Sequence, residues 1–298
     1  MSYKYYKLCD WIDFNKLSFI KLSENPYAIN ILEKNLDKIN FNYLALNPNG
    51  IHIIEKKINE NLENNLYHIY WTWLAKNSNA IHILNKNKNI ISWYNILLNS
   101  NAISIIELNL YKLNKYQWSI LSLNPSAIHI LEANQDKINW SNLSENINAI
   151  SLLEKNLDKI DWKWLSLNPN AIHILEKYPN KINWAKLSEN ENAIHLLEKN
   201  LDKINWLNLS KNKNAIHILK NNIDKINWYH LSANPNAIDI LKKYPYHIDW
   251  FELSSNPNIF ELDYNKIKND NLNLNLEIIQ YALHPRRVIK WINEDYDF

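Results

Sequence analysis

The chain repeats one phrase of 22 residues along most of its length, and this repetition limits what it can fold into. Two nearly identical stretches read LSLNPNAIHILEKYPNKINW, from Leu165 to Trp184, and LSENENAIHLLEKNLDKINW, from Leu187 to Trp206. Counted from the aromatic residue, such as Trp184, each copy has Leu or Ile three residues later and Asn six residues later. Self-similarity at a fixed period predicts a repeat architecture in which each unit packs against its neighbours.

Eleven units can be aligned on the aromatic residue, and we number them 1 to 11 in chain order. The step is 22 residues from Trp118 onward, while two earlier steps contain insertions, around residues 56–70 and 107–117. Regular stacking is not assured at these two insertions. The aromatic residues are Phe19, Phe41, Trp71, Trp93, Trp118, Trp140, Trp162, Trp184, Trp206, Trp228 and Trp250.

The Asn six residues after the aromatic is present in all eleven units, and we predict that it begins a helix. An Asn side chain can accept a hydrogen bond from a free N–H of the first helical turn, and Pro suits the next position, as in Asn168-Pro169. A ladder of catalytic or base-reading Asn residues is the alternative. The helix should end at an Asn in the left-handed conformation, such as Asn200, or at a Tyr-Pro pair.

A second, shorter helix is predicted to begin at the Asn or Asp of KINW and KIDW, with Trp184 and Leu187 facing inward. Two short helices cannot bury their own apolar faces, so the units must stack. We therefore predict an all-α solenoid of about eleven helix-turn-helix repeats over residues 19–262, in one continuous domain. Residues 1–18 should form an N-terminal cap and residues 263–298 a C-terminal helical cap. The alternative is a strand-containing horseshoe, because LSxNPN is similar to part of a leucine-rich repeat.

The composition indicates a folded protein, with 46% hydrophobic residues and a single cysteine. The start, MSYKYYKLCDWIDF, has no apolar run long enough for a signal peptide, and no stretch of about 18 apolar residues predicts a membrane span. Cys9 alone cannot form an internal disulfide, which fits a reducing compartment. The abundance of Lys, Asn and Ile, with only one Gly, is typical of an AT-rich genome.

The tandem unit WxxLSxNPNAIHILEKNxDKIN, together with a closing HPRRVIKWI segment, resembles repeat proteins that giant DNA viruses of the mimivirus-like group encode in many copies. The resemblance covers nearly the whole chain. It implies a helical repeat protein of viral origin, expected in the host cytoplasm or viral factory or in the virion. It implies no biochemical activity and no functional residues.

The sequence contains no recognisable catalytic or metal-binding motif. A Gly-rich phosphate loop is impossible with one glycine, and HExxH, GxSxG and Cys-rich metal patterns are missing. Cys9 could in principle be a nucleophile, but its place in a cap favours a small buried hydrophobic residue. We expect no enzyme activity, no cofactor, no metal and no small-molecule substrate.

Six histidines occupy one position of the repeat, on the side of the helix opposite the core. Stacked helices lie about 8 to 10 Å apart, whereas zinc requires ligand nitrogens at about 2 Å, so a shared metal site is disfavoured. A solvated polar ladder and a partner-contacting ridge remain as alternatives, with His173, His195 and His217 as the candidate contacts. The six are His52, His82, His129, His173, His195 and His217.

A second set of positions varies much more between units. These positions lie one and two residues after the repeat aromatic, on the short helix, and point away from its apolar face. Exposed aromatic residues dominate binding hot spots, although such residues could instead pack over the adjacent unit. The candidate binding residues here are Tyr43, Trp73, Tyr94, Trp164, Tyr229, His230 and Phe251.

The predicted partner is a protein, from the host or the virus, and nucleic acid is the alternative. Aromatic and lysine side chains could stack bases and neutralise phosphates. However, 33 Lys and Arg against 31 Asp and Glu leave too few uncompensated cations for a basic stripe. We therefore predict a non-enzymatic scaffold for protein–protein interaction, with no membrane partner. A structural component of the virion or its assembly is a further alternative.

Overall fold

The structure is a computed structural model that describes residues 3–60, 68–87 and 93–293. The described part consists of short α-helices and 3-10 turns, with two strands of three residues each. This confirms the predicted all-α repeat class. Residues 61–67, in the first insertion, lie outside the described residues.

Each complete unit contains two α-helices, which we call the A helix and the B helix. In unit 7 the A helix is followed by a 3-10 turn at Pro169–Ala171, and the B helix by one at Pro179–Lys181. The A helices are α1 Phe19–Leu22, α3 Phe41–Leu46, α5 His68–Leu74, α7 Trp93–Ile96, α9 Lys115–Leu121, α11 Trp140–Glu145, α13 Trp162–Leu165, α15 Trp184–Leu187, α17 Trp206–Leu209, α19 Trp228–Ala233 and α21 Trp250–Leu253. The B helices are α2 Ile29–Glu33, α4 Ile51–Glu60, α6 Ile81–Lys86, α8 Ile103–Glu107, α10 Ile128–Glu132, α12 Ile150–Glu154, α14 Ile172–Lys177, α16 Ile194–Glu198, α18 Ile216–Lys220 and α20 Ile238–Lys243.

Local chemistry sets the helix starts, as the sequence predicts. The side chain of Asn183 caps α15 by accepting from the backbone N–H of Lys186 at 3.0 Å. Asn168 caps the turn before α14 by accepting from the N–H of Asn170 at 3.0 Å, with Pro169 in the first position. The N-cap prediction is therefore confirmed. The apolar face between these caps is buried, as at Leu187 and Leu197 of unit 8.

The predicted left-handed ends of the B helices are wrong. Asn200 has φ −140° and ψ 50°, outside the left-handed region. Its side-chain amide donates to the carbonyl of Leu196 at 2.9 Å, so it satisfies one of the free carbonyls at the end of α16. The helix therefore stops through a side-chain hydrogen bond. Tyr178 has a related backbone conformation, with φ −126° and ψ 59°, before Pro179.

The capping Asn of each unit has a second role, because its side-chain amide also links neighbouring units. Asn190 Nδ2 donates to the carbonyls of Ser166 and Asn168 in the preceding unit, each at 3.0 Å. Ser188 Oγ also bridges units, because it donates to the carbonyl of Trp184 at 2.7 Å and accepts from the N–H of Asn205 at 3.0 Å. All eleven capping Asn residues are buried, which excludes the alternative of a base-reading ladder.

The first unit contacts the last through the same hydrogen bonds. Asn25 Nδ2 donates to the carbonyls of Ser254 and Asn256, at 3.1 and 2.9 Å. The N–H of Ser18 donates to Ser254 Oγ at 2.8 Å, as Asn205 does to Ser188. The Asn ladder therefore passes through all eleven units and returns to its start. This differs from the solenoid with two separately capped ends, an open stack, that the sequence predicts.

The segments on either side of the repeats meet at this junction. Strand β1, Tyr6–Leu8, pairs antiparallel with strand β2, Phe260–Leu262, and places Lys7 opposite Glu261. The N–H of Cys9 donates to the carbonyl of Ile259 at 2.9 Å, which extends the pairing. The N-terminal segment, expected as a cap over a free end, instead joins the last unit, because unit 1 and unit 11 already cover each other. Two helices follow, α22 Tyr264–Ala282 and α23 Pro285–Asn293.

Candidate partner-binding surface

The closed ladder brings together candidate aromatic residues from both ends of the sequence. Units 10, 11, 1, 2, 3 and 4 become consecutive, and their A helices carry exposed apolar side chains at the variable positions. We call this set the aromatic arc. Its members are Ile20, Tyr43, Trp73, Tyr94, Tyr229 and Phe251, and all except the half-buried Tyr43 are between 38% and 49% exposed.

Contacts between units hold the arc together. Lys21 Nζ lies over the rings of Phe251 and Tyr43, at 5.5 and 5.7 Å from their centroids. Tyr43 and Trp73 line the same small cavity. The arc therefore runs from unit 11 through unit 1 to unit 3 across the junction.

A partly buried charge network lies at the centre of the arc. Lys21 Nζ is 3.2 Å from Glu24 Oε1 and 3.5 Å from Glu252 Oε2, and Tyr229 donates its hydroxyl to Glu252 Oε1 at 2.7 Å. Burial opposes the charge on Lys21, but Glu24 and Glu252 outweigh this effect and raise its pKa. The hydrogen bond to Glu252, together with its charge, raises the pKa of Tyr229. These contacts connect units 10, 11 and 1.

Sequence reasoning missed Ile20, Lys21 and Glu252. Each stands one or two residues after its repeat aromatic, at the positions singled out as variable. Their positions within the repeat could therefore be read from the sequence. Units 1 and 11, however, are neighbours only because the Asn ladder closes. Among the predicted candidates, closure places Tyr229 and Phe251 in one run of consecutive units with Tyr43, Trp73 and Tyr94, with unit 1 between the two groups.

Two candidates stand apart from the exposed arc. Trp164 in unit 7 is half-buried, with Lys186 of the next unit 4.3 Å above its ring. It therefore packs over the adjacent unit, which is the alternative given above for the variable positions. His230 is half-buried beside Tyr229, at a ring distance of 5.2 Å. Burial, followed by the nearby Lys211, lowers its pKa.

The arc ends at a cleft that the second insertion creates. Helix α9 begins at Lys115, three residues before the repeat aromatic Trp118, and a capping box of Asn114 and Gln117 holds this extra turn. Tyr116 on the extra turn stacks on Tyr94 of the arc at 5.8 Å. It also lines a cavity of about 720 Å³ with Trp118 and Lys137. A large apolar side chain of a partner could enter here.

Each histidine of the repeated position contacts a glutamate of the preceding unit. The Nε2 to Oε1 distance is 3.0 Å for His173 and Glu154, and 2.8 Å for His195 and Glu176. His217 makes the same contact with Glu198 at 2.8 Å. In the part of the chain that the structure describes, no group of three His, Cys, Asp or Glu residues could hold a metal ion. The histidines thus form an exposed polar ladder between units.

We expect these pairs to add little stability, because exposed ion pairs usually contribute less than about 1 kcal/mol. Lys220 and Asp239 occupy the same two positions with reversed polarity, at 3.9 Å. The double variant Glu176→Lys/His195→Asp should therefore recover most of the loss of either single variant. Urea unfolding of all four proteins gives the coupling energy. A coupling above about 2 kcal/mol would contradict this.

Cys9 does not have the surroundings of a nucleophile. Its thiol is buried, 3.9 Å from the carbonyl oxygen of Asn258 and 3.8 Å from Glu261 Oε2. Burial, followed by the negative charge of Glu261, raises the pKa of the thiol. Reactive cysteines have a lowered pKa, so these surroundings favour the interpretation of Cys9 as a small buried residue.

Within the described ranges, no helix is both long enough and apolar enough to cross a membrane. The chain matches no known protein family, no curated protein and no solved structure.

Proposed function

We propose that this chain is a non-enzymatic scaffold, a closed α-solenoid, which binds a protein partner through the aromatic arc. The succession of Tyr229, Phe251, Tyr43, Trp73 and Tyr94 along one run of consecutive A helices, with Lys21 of unit 1 between Phe251 and Tyr43, supports this proposal. Aromatic anchors around a desolvated centre are typical of binding hot spots. The network of half-buried Lys21 and buried Glu252 supplies such a centre.

The charges around the arc favour a protein over nucleic acid. Lys21 is paired with Glu24 and Glu252. In unit 9, Lys211 and Lys213 are paired with glutamates of unit 8, at 3.5 and 2.7 Å. Strong phosphate binding needs several uncompensated cations along one track. The partner that fits is therefore a protein surface with apolar side chains.

The proposal includes the setting that the sequence resemblance implies. The chain would be a giant-virus protein acting in the host cytoplasm or viral factory, where its partner would be a host or viral protein. Nucleic-acid binding is the second candidate, and a structural role in the virion or its assembly is the third.

Replacing Tyr229 and Phe251 by Ala should weaken partner binding by at least about 30-fold, because loss of a hot-spot residue costs about 2 kcal/mol or more. The immobilised wild type is used to capture proteins from an amoebal lysate, with half of the beads treated with nuclease. The affinity of a captured protein is then measured against each variant. Trp164→Ala is the matched control, because Trp164 lies in unit 7 and should leave the affinity unchanged.

The same experiment separates the candidates. Material lost with nuclease, with an affinity that falls steeply as salt rises, would favour nucleic acid. Equal binding by Tyr229→Ala/Phe251→Ala and the wild type would remove the arc from the proposal. Circular dichroism checks that both variants keep their helices, since a loss of fold would show that these side chains belong to the core.

A further inference from the structure

Helix α22 is held at its start but leaves most of its length in solvent. The N–H of Asp263 donates to the carbonyl of Tyr5 at 2.7 Å, and Asp270 lies 3.3 Å from Lys4 Nζ. Beyond this point every residue from 271 to 281 is exposed. Apolar side chains make up about half of this segment, so it exposes more apolar surface than a solvated helix needs.

Four of the exposed apolar residues follow the spacing of a coiled coil, while Leu274, Ile278 and Tyr281 lie on other sides of the helix. The four are Leu272, Leu276, Ile279 and the C-cap residue Leu283, which are separated by four, three and four residues and so lie on one stripe. All four are at least 50% exposed. We call them the leucine stripe. Such a stripe fits the matching stripe of a second helix.

The polar residues around the leucine stripe favour an identical helix as its partner. From residue 271 to residue 283 the only charged side chain is Glu277, on another side of the helix, and the remaining polar residues are Asn and Gln. Two copies therefore meet without like-charge repulsion. Exposed Asn269 precedes Leu272 in the same spacing, and facing Asn residues in a coiled coil set the register of identical helices.

We propose that the leucine stripe of α22 is the surface through which two copies of this chain dimerise. This dimer would present two aromatic arcs and does not depend on the function proposed for them.

Light scattering of the purified full chain, over a hundredfold range of concentration, tests the proposal. The wild type should have the mass of a dimer. Leu276→Glu should raise the dimer dissociation constant by at least about 100-fold, because it buries an unpaired charge in the interface. Asn271→Glu is the matched control, since it adds the same charge beside the stripe's first leucine but on the outer side of the helix, and it should stay dimeric.

Two results would overturn the proposal. One is a monomeric wild type at every concentration, and the other is a Leu276→Glu variant that remains as dimeric as the wild type. A monomeric wild type that also sediments with phosphatidylcholine vesicles would make a lipid surface the occupant of the stripe. Circular dichroism should show equal helix content in all three proteins, because position 276 is exposed.

Discussion

A disulfide between strands β1 and β2 should form within one folded chain and stabilise it by about 5 kcal/mol. Lys7 and Glu261 face each other in the antiparallel pair. Two residues further along the pair, the N–H of Cys9 donates to the carbonyl of Ile259. Hydrogen-bonded pairs recur at every second residue, so Lys7 and Glu261 also form a hydrogen-bonded pair, in which Cα atoms lie about 5.5 Å apart. That separation suits a disulfide. The large effect arises because the crosslink constrains almost the whole repeat region in the unfolded chain.

The variant Lys7→Cys/Glu261→Cys is best made with Cys9→Ala, because the thiol of Cys9 lies 3.8 Å from Glu261. Peptide mapping under non-reducing conditions detects the crosslink, and urea unfolding with and without reductant gives its effect on stability. The control Lys7→Cys/Lys163→Cys, also made with Cys9→Ala, has the same two thiols but places one in unit 7, so it should form no internal crosslink.

The crosslink is a direct test of closure. In an open stack, unit 1 and unit 11 would be separated by ten steps of roughly 8 to 10 Å each, if neighbouring units pack like neighbouring helices. Residues 7 and 261 would then be far beyond the reach of a disulfide. Failure of the oxidised variant to form an intramolecular bond would therefore contradict the pairing of β1 with β2.

The parts of the fold that the sequence predicted depend on contacts within a few residues. Asn168 and Pro169 begin a turn of helix. The Asn168 side chain supplies a hydrogen-bond acceptor, and Pro169 has no N–H that would need one. The same local chemistry recurs in every unit, so one unit predicts the others. The end of α16 was predicted incorrectly because two local mechanisms compete there. Asn200 donates its amide to the carbonyl of Leu196 and has no need of a positive φ.

Closure could not be predicted because no residue encodes it alone. Asn25 and Ser254 are the same residue types as their counterparts in the middle units, and they make the same bonds. What brings them together is the small rotation between successive units, added over the whole chain. The aromatic arc depends on the same accumulated rotation between units. Its members were predicted from residue type and register, but their adjacency was not.

Asn25→Ala should destabilise the protein as much as Asn190→Ala does, by about 4 kcal/mol in each case. Asn190 donates to two buried carbonyls and accepts from the N–H of Asn192. Asn25 makes the equivalent three bonds, to Ser254, Asn256 and the N–H of Tyr27. Either substitution leaves two backbone groups without a partner, the capped N–H and the carbonyl of Ser166 or Ser254. The second carbonyl, of Asn168 or Asn256, loses one bond but keeps a backbone N–H as a donor. Each buried group without a partner costs about 1 to 3 kcal/mol.

Asn192→Ala provides the control within the same unit. Its amide also donates to the preceding unit, to the carbonyl of Pro169 at 3.0 Å, but at an exposed position. Water can replace this bond, so the loss should stay below about 1 kcal/mol. Urea unfolding, monitored by tryptophan fluorescence and circular dichroism, gives all three values.

The ratio of the Asn25 and Asn190 effects then measures closure without any crosslink. At the free end of an open stack, Asn25 would face water and keep only its capping bond, whose loss costs about 1 kcal/mol. In the closed ladder it is as buried as Asn190, and the ratio should be close to one. A ratio near one quarter would place unit 1 at an open end. Small effects at both positions would instead show that the carbonyls find other partners and that the Asn ladder is not a main source of stability.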